Sequence, residues 1–329
     1  MNHFPGNGNF FSMMINKLLQ FFNLFVLYRF GSAIGDQLCM TAIVENLYTE
    51  HRLKTVVFSS YPEFFENNPH VYKNFSFKRM PKLFRNVLLS LLRIAEGENI
   101  ANFCFPKQKN GGLECYMRES KAKISLIEAH SCFFKRKLIL LQATPKIYFS
   151  DDELAVFSRK FSDLPDRFGI VQPVGKTTYT PNKEWGFANF QKVIDSAPHF
   201  PWLQTGMINE LLLDHVIDFR GKTKSLRELA YIVSRADFIL CLEGLLNHLA
   251  ASVGTRSFCL FSGFHPVEIA NYATTIPVVL DPQPDCSPCW LLEKCPQKSK
   301  YCTEGIFPEQ VVKVITTAPS LNNQPAIKL

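Results

Sequence analysis

Three groups of side chains in this sequence have types and spacings that could do chemistry. The first centres on Asp36, which follows an apolar run and a glycine-bearing turn, Gly31-Ser-Ala-Ile-Gly35. A substrate can approach such a turn closely, because glycine carries no side chain. A carboxylate at the carboxyl end of a strand could take a proton as a general base. The alternative is that Asp36 only caps the helix that starts beside it.

The second group lies in residues 237–261, which are predicted to form a strand, a helix and a second strand. Phe238 to Leu242 is a short apolar run typical of a buried parallel strand, and Gly254 ends the helix. Polar or small residues stand at the turn into that helix: Glu243, Gly244, Asn247 and His248. A helix amino end offers free N–H groups and about half a positive charge, which suits a phosphate. A simply capped helix in an ordinary βαβ unit is the alternative.

The third group is a cluster of four cysteines near the carboxyl end of the chain: Cys286, Cys289, Cys295 and Cys302. Four thiolates at such spacing could bind Zn²⁺ or iron tetrahedrally. The spacing is less regular than two Cys-x2-Cys pairs, so a loop with free or partly paired cysteines is the alternative. A bound ion would be structural, because four cysteine ligands leave no open coordination position.

Composition bounds the class of protein that carries these groups. The chain has 329 residues, which suggests two domains, and a formal net charge of +7. Basic clusters at residues 78–85 and 135–137 could meet nucleic acid, an anionic membrane or a phosphorylated substrate. Such runs are more often solvated surface. No nucleic-acid-binding signature accompanies them, so we expect no nucleic-acid partner.

The amino-terminal apolar stretch, residues 10–30, lacks the basic region and the cleavage site of a secretion signal. Its apolar residues recur at helical spacing: Phe11, Met14, Leu18, Phe22 and Phe25. This predicts an amphipathic helix that packs on the body of the protein or lies on a membrane, and we favour packing. With no secretion signal, we expect a reducing, cytoplasmic location despite the ten cysteines.

The remaining pattern predicts an α/β protein. Strands are predicted at 24–28, 53–58, 138–141, 168–175, 202–205, 238–242 and 256–261, and helices at 225–234, 246–253 and 308–315. Alternation of this kind indicates parallel sheets with helices on both faces, and the first half of the chain alternates more loosely. Residues 145–152 are predicted to be a hinge in which Ser150 or Asp151 caps a helix. The simplest architecture is two Rossmann-like domains that face each other across a cleft.

Three stretches together resemble glycosyltransferase family 9, the heptosyltransferase family of lipopolysaccharide assembly. They are Gly31 to Ala42 (GSAIGDQLCMTA), Asn182 to Trp185 (NKEW) and Ser225 to Phe261, which contains EGLLNHLAA. The third is the most specific of the three. The cysteine segment and the closing Pro-Glu-x-Val are also similar to family members, so the resemblance covers most of residues 24–316.

The resemblance implies a GT-B fold and assigns residues to roles. The expected domains are an amino-terminal helix (1–23), an acceptor-binding domain (24–150), a donor-binding domain (151–316) and a tail (317–329). Asp36 matches the family's proposed general base, and Lys183 matches the lysine that neutralises the donor diphosphate. Gly35 and Gln37 are expected at the acceptor. The expected donor-binding set is Gly175, Thr205, Gly206, Glu210, Glu243, Gly244, Leu245, Asn247 and His248.

The sequence departs from the family's signature at the turn before the helix. Glu243 stands where Asp is usual, and Gly244 and Leu245 stand where Ser or Thr and Gly are usual. The change removes a hydroxyl that could bind phosphate. Heptose is therefore the default sugar, and ADP-heptose the default donor, on the resemblance alone.

The function predicted from the sequence is inverting, metal-independent transfer of a sugar from a nucleotide-diphosphate donor to a hydroxyl of a lipopolysaccharide core or related glycan. No cofactor is expected for catalysis, and Zn or Fe at the cysteine cluster would be structural. Peripheral contact with the inner membrane face is expected if the acceptor is lipid-linked. The alternatives are a protein O-glycosyl (heptosyl) transferase of the same fold and a non-catalytic nucleotide-sugar-binding protein.

Overall fold

The chain forms two compact α/β units in a computed structural model that describes residues 10–104 and 123–318. Of these, the first unit holds residues 10–104 and 126–149, and the second holds 123–125 and 150–318. Among the described helices, none is both long and apolar enough to cross a bilayer. The predicted fold class, α/β with parallel sheets, is confirmed.

The first unit is a four-stranded parallel sheet with helices. Its elements are α1 (Phe10–Phe21), β1 (Leu24–Arg29), α2 (Ile34–His51), β2 (Lys54–Ser59), β3 (Val71–Ser76), α3 (Lys82–Ala95), β4 (Ile100–Asn102) and α4 (Leu126–Ser131). The strand order is β3-β2-β1-β4, with every pair parallel. The order reverses between β1 and β4, and ligands of open α/β sheets bind outside the carboxyl ends of strands at such a point.

The predicted strand at 138–141 is wrong. The backbone N–H of Ile139 donates to the Glu50 carboxylate at 3.1 Å, and that of Leu141 donates to Asn46 Oδ1 at 2.8 Å. The segment therefore bonds to side chains of α2 instead of a neighbouring strand. The fourth strand is β4, whose three residues are too few to give a recognisable apolar run. Periodicity alone cannot separate short strands from such segments.

The amino-terminal helix α1 is confirmed, and it packs on the first unit, but its inner face shares only Phe11 with the predicted stripe. Phe11, Ile15 and Leu19 pack against the core of the unit. Residues of the predicted stripe, Met14, Leu18 and Phe22, are exposed instead. The orientation is fixed by polar anchors on the inner face: Asn16 Nδ2 donates to the carbonyl oxygen of Ala95 at 3.0 Å, and Asn16 Oδ1 accepts from the N–H of Asn99 at 2.8 Å.

The second unit is a six-stranded parallel sheet. Its elements are α5 (Asp151–Lys160), β5 (Gly169–Gln172), α6 (Phe187–Asp195), β6 (Trp202–Gln204), β7 (Ile217–Asp218), α7 (Leu226–Arg235), β8 (Phe238–Leu242), α8 (Leu245–Val253), β9 (Ser257–Phe261), β10 (Thr275–Val279), α9 (Tyr301–Glu304) and α10 (Pro308–Thr317). The strand order, β10-β9-β8-β5-β6-β7, follows the Rossmann pattern and reverses between β5 and β8.

In the second unit, most of the helices and strands that the sequence predicts begin and end close to their predicted bounds. The strand β8 has the predicted bounds, and α8 ends at Gly254 in the left-handed conformation that glycine favours. Ser150 and Ser225 cap α5 and α7 by accepting N–H bonds from the third residue of each helix. The two outermost strands differ from the central ones: β7 has two residues, and β10 contains Pro277.

Candidate functional site

A buried ion-pair network occupies the carboxyl edge of the second sheet, where the strand order reverses. Glu243 directly follows β8, and its Oε2 pairs with Lys183 Nζ and lies 2.9 Å from His265 Nδ1. Burial alone would raise the pKa of Glu243. The charges of Lys183 and His265 outweigh that effect and hold the pKa well below its usual range. Glu243 is therefore ionised and fixes the position of Lys183.

Aromatic rings complete the surroundings of this network. Lys183 Nζ lies 5.4 Å from the ring centroids of both Tyr179 and Phe264, within cation–π range. The ring of His265 lies 4.5 Å from that of Trp290. His265 and the three aromatic residues were not among the residues predicted from the sequence. A signal for His265 was available, because it lies four residues after β9, a neighbour of the strand that Glu243 follows.

Two predicted donor-binding residues after β6 carry buried oxygens without partners. Thr205 Oγ1 and Glu210 Oε2 have no hydrogen-bond partner among the described residues. Burial raises the pKa of Glu210. A Cβ at Gly206, which has φ of +144°, would lie 2.1 Å from the same Glu210 oxygen. The turn is thus built so that the Glu210 carboxylate lies directly against a residue without a side chain.

Gly175, after β5, is held by the loop that carries Lys183. Its N–H donates to Glu184 Oε1 at 2.9 Å, and a Cβ there would lie 2.9 Å from that oxygen. Burial raises the pKa of Glu184. Trp185, in the same NKEW segment, is buried and donates from Nε1 to the carbonyl oxygen of Ile306 at 2.9 Å. The segment is therefore anchored by the two residues that directly follow Lys183.

The signature residues Asn247 and His248 point into the interior. Asn247 Nδ2 donates to the carbonyl oxygen of Ala270 at 2.7 Å, and its Oδ1 accepts from the hydroxyls of Ser257 and Thr275. His248 Nδ1 lies 2.6 Å from the hydroxyl of Tyr272. Their side chains thus fix α8 against its neighbours.

The first turn of α8 remains at the edge of the sheet. Gly244 precedes the helix and Leu245 is its first residue. The N–H groups of a helix's first turn have no acceptor within the helix. The roles of Gly244, Leu245, Asn247 and His248 in donor binding stay predictions.

Asp36 belongs to the first unit, at the corresponding point of its sheet. It is the third residue of α2, and Ala33 is the N-cap without a side-chain bond, so the capping alternative is wrong. Asp36 Oδ2 pairs with Arg29 Nη2 and lies 3.7 Å from His130 Nε2. Arg29 also donates to the carbonyl oxygen of Phe103. Both partners are buried, whereas the Asp36 side chain is 26% exposed.

The turn before Asp36 is shaped by Gln37, which is fully buried. Its Nε2 donates to the carbonyl oxygen of Gly31 at 2.8 Å, and its Oε1 accepts from Ser59 Oγ and from the Ser60 N–H. This network holds the turn on β2. Contact of Gly35 or Gln37 with an acceptor stays a prediction.

The four cysteines line one cavity of about 80 Å³ in the second unit. Burial raises the pKa of the Cys289 thiol, and the other three thiols raise it further. Their chemistry suits Zn²⁺ or iron, yet within residues 10–104 and 123–318 no three His, Cys, Asp or Glu side chains are grouped closely enough to hold an ion.

The cysteine segment is attached to the loop of Lys183 by the neighbouring residue. Asn182 Nδ2 donates to the carbonyl oxygens of Leu291 and Glu293, both at 2.6 Å. Asn182 Oδ1 accepts from the N–H of Cys295 at 3.1 Å. The cysteine segment and the lysine loop are therefore one connected piece of structure.

The chain has the fold of known glycosyltransferases. It aligns with a glycosyltransferase family 9 protein from Veillonella parvula (TM-score 0.62, 15% identity, 88% of this chain and 95% of the other). It also aligns with ADP-heptose lipopolysaccharide heptosyltransferase II from Escherichia coli (0.59, 13%, 88% and 96%). A third match is the dodecameric iron-containing heptosyltransferase TibC from Escherichia coli in complex with ADP-D-β-D-heptose (0.57, 12%, 89% and 74%).

A family model provides the sequence-level comparison. The comparison with curated proteins gave no match. Residues 141–300 match the model of glycosyltransferase family 9 (heptosyltransferase). This range contains the Lys183, Glu210 and Glu243 elements described above. The predicted resemblance to glycosyltransferase family 9 is confirmed over residues 141–300, and the chain shares the GT-B-type fold of the solved glycosyltransferases.

Proposed function

We propose that this glycosyltransferase moves a heptose from ADP-heptose to a hydroxyl of a lipopolysaccharide core or related glycan, with inversion and without a catalytic metal. The observation that carries the donor site is the pair of unpartnered buried oxygens on Thr205 and Glu210. Buried polar atoms are nearly always hydrogen-bonded in proteins. The hydroxyls of a nucleoside's ribose would satisfy both, and the complex of TibC with ADP-D-β-D-heptose supports this donor.

Lys183 and the amino end of α8 serve the leaving group in this proposal. As the bond from the anomeric carbon to the diphosphate breaks, its electrons pass to the diphosphate. Lys183 has two further N–H bonds to give beyond the one to Glu243, and the helix end adds partial positive charge. A preorganised cation of this kind stabilises developing charge without rearrangement. This is why the proposed chemistry does not require Mg²⁺.

Asp36 serves the acceptor. The acceptor oxygen forms the new bond to the anomeric carbon, and its proton passes to the Asp36 carboxylate. General-base assistance of this kind typically contributes about 10² to 10⁴ in rate. Its exposed edge supports this role, because a hydroxyl must reach the carboxylate within hydrogen-bond distance. We propose accordingly that the first unit binds the acceptor and the second unit binds the donor.

The test is a thermal-shift screen of the purified protein against ADP, UDP, GDP and CDP, followed by their sugar conjugates. A ligand at 100 times its Kd raises stability by about 2.7 kcal/mol. We expect a selective shift with ADP and a shift with ADP-heptose. Glu210→Gln and Thr205→Val should each weaken ADP binding about tenfold, since each removes one hydrogen bond to a buried group. The matched control is Glu309→Gln, at an exposed carboxylate in the first turn of α10.

Two outcomes would contradict the proposal. No shift with any nucleotide would leave a fold without a donor site and favour the non-catalytic alternative. A selective shift with another diphosphate would replace heptose with that nucleotide's sugars. Once a donor is found, transfer is measured to lipopolysaccharide core acceptors and to Ser- or Thr-containing peptides, which separates the glycan acceptor from the protein acceptor.

The cysteine segment has no step in the proposed reaction. Through Asn182 it holds the loop of Lys183, and we propose that this positioning is its role. Elemental analysis of the purified protein for zinc and iron, with the four-fold Cys→Ser variant as reference, tests for a structural ion. One metal ion per chain in the wild type, and none in the four-fold Cys→Ser variant, would show that the four thiols bind an ion.

A further inference from the structure

The helices α1 and α3 of the first unit pack side by side, and both expose an apolar stripe to solvent. Ser12 and Asn16 of α1 donate to the carbonyl oxygen of Ala95 at the end of α3. The outward residues of α1 are Phe10, Met13, Met14, Leu18 and Phe21, and those of α3 are Leu83, Phe84, Val87, Leu91 and Ile94. Phe21 and Leu83 are each 79% exposed. We call these ten residues the outer apolar face.

The outer apolar face is unusual because each helix also has an inward apolar stripe. In α1 the inward stripe is Phe11, Ile15 and Leu19, and in α3 it includes Leu89 and Leu92. A surface helix normally has one apolar stripe, which faces the core, so a second apolar stripe on the outer side of each helix is unusual. Contiguous exposed apolar patches on soluble proteins mark interaction sites.

Charge around the face selects the partner. The charged residues of α1, of α3 and of the short 3₁₀ turn Phe77–Arg79 before α3 are all basic: Lys17, Lys78, Arg79, Lys82, Arg85 and Arg93. The same face of a second copy would bring the same charges together, which opposes symmetric self-association. Apolar residues with a basic rim match the interface of an anionic lipid membrane.

The end of the face away from the 3₁₀ turn carries more basic than acidic residues, with Lys135, Arg136 and Lys137 beside Glu96 and the exposed Glu98. Glu96, just after α3, has its carboxylate bound by the hydroxyl of Tyr28. Lys135 Nζ donates to the carbonyl oxygen of Glu96 at 2.8 Å, and Arg136 Nε donates to that of Glu98 at 2.7 Å. The predicted basic clusters at 78–85 and 135–137 therefore lie at opposite ends of α3.

We propose that the outer apolar face docks the enzyme on an anionic lipid surface, with the apolar residues at the level of the acyl chains and the basic residues at the headgroups. This inference does not rest on the proposed transfer reaction. Both helices lie in the unit proposed to bind the acceptor, so docking would bring that unit to lipid-linked acceptors.

The test is flotation with vesicles of phosphatidylcholine alone and of phosphatidylcholine with phosphatidylglycerol in equal parts, without donor or acceptor. We expect the wild-type protein to float with the anionic vesicles and to be released by high salt only in part. The apolar variant is Met14→Gln/Leu18→Gln/Leu83→Gln/Val87→Gln, and the charge variant is Lys17→Gln/Lys82→Gln/Arg93→Gln. The charge variant should reduce binding to anionic vesicles by about a hundredfold, since it removes the attraction of three basic residues to the surface. The apolar variant should reduce binding by about tenfold or more, since it removes apolar area that would be buried among the acyl chains.

A matched control separates docking from general surface hydrophobicity. Leu154→Gln/Val156→Gln removes two exposed apolar residues from α5 in the second unit and should bind like the wild type. Thermal melts check that every variant folds. Failure of the wild type to bind anionic vesicles would overturn the proposal. A second outcome would also overturn it: the wild type is an oligomer that does not bind vesicles, and the apolar variant is a monomer. That result would show that the outer apolar face binds a second copy of the chain. ADP binding, measured separately, distinguishes a failure here from a failure of the proposed reaction.

Discussion

The two units place the same kinds of side chain at the same point of their sheets. At the reversal of strand order, the first unit has a carboxylate, a cation and a histidine in Asp36, Arg29 and His130. The second has Glu243, Lys183 and His265. In both, the carboxylate follows a strand and pairs with a cation that chain folding brings beside it.

The two trios differ in which member faces solvent. In the first, the carboxylate is the more exposed partner, at 26% against 10% for Arg29. In the second, the lysine is the more exposed partner, at 15% against 9% for the carboxylate. The same three groups can therefore supply a reachable base in one unit and a reachable cation in the other. Burial of the remaining members fixes the geometry of each trio.

The largest expected effect comes from removing the base in the first unit. Asp36→Asn should lower the rate of sugar transfer about a thousandfold, because the acceptor proton loses its acceptor. The dissociation constant for ADP should change by less than about twofold, since the proposed donor site belongs to the other unit. Initial-rate kinetics and calorimetric titration measure the two. Asp151→Asn, in the first turn of α5, is the matched control, and loss of ADP binding in Asp36→Asn would contradict the assignment.

The next effect concerns the buried pair of the second unit. Lys183→Met should lower the free energy of unfolding by about 4 kcal/mol, because it leaves the Glu243 charge buried with a weaker set of partners. The double variant Lys183→Met/Glu243→Leu should recover most of that loss, since replacing a whole buried pair by apolar residues is often neutral. Denaturant titration measures both.

The affinity for ADP should be low in both Lys183→Met and Lys183→Met/Glu243→Leu, because neither variant has the Lys183 ammonium group. Lys192→Met, at an exposed lysine of α6, is the control. Recovery of ADP binding in the double variant would show that Lys183 contributes only to stability.

A smaller effect should depend on pH. The pKa of Glu243 is lowered in the folded protein, so its contribution to stability is present above the unfolded pKa of about 4.3 and is lost as pH falls towards the folded pKa. Glu243→Gln should therefore be about 2 kcal/mol less stable than the wild type at pH 7. The difference should shrink below about pH 4. A difference that stays constant between pH 7 and pH 3 would indicate a packing defect instead.

The smallest effect compares two glycines with almost the same backbone. Gly31 and Gly206 have φ of +146° and +144°, but a Cβ at Gly31 meets no atom within 4 Å, whereas one at Gly206 meets Glu210. Alanine at either position should lower stability by about 1–2 kcal/mol through backbone strain. Only Gly206→Ala should also weaken ADP binding, because it displaces the Glu210 carboxylate. Equal ADP affinity in the two variants would remove Glu210 from the donor site.

The sequence predicted secondary structure correctly where the pattern of apolar residues and the residues that end each element were both present. The segment from β8 to β9 has a continuous apolar run, a helical repeat and a stop at Gly254, and its elements formed within a residue of their predicted bounds. The strand β4 lacked such a signal, and residues 138–141 imitated one. Four apolar neighbours do not reveal whether their N–H groups will bond to a strand or to Glu50 and Asn46.

The sequence predicted the individual residues of the candidate site, but not which side chains pair with one another. Asp36, Lys183 and Glu243 each follow a predicted strand or turn, which the sequence displays. Their partners are set by packing between elements: His130 is separated from Asp36 by 94 residues, and Lys183 from Glu243 by 60. Local periodicity carries no information over such distances. The partner within reach of sequence reasoning was Arg29, a cation at the carboxyl end of the first strand.

The two outermost strands of the second sheet have a consequence for assembly. An exposed strand edge is a template on which another chain can add a strand and begin to aggregate. Here one edge is β7, with two residues, and the other is β10, where Pro277 has no N–H to donate. Within the described residues, neither edge of this sheet offers a long hydrogen-bonding row. Copies of the chain that associate through this unit would therefore have to do so by packing side chains, not by joining sheets.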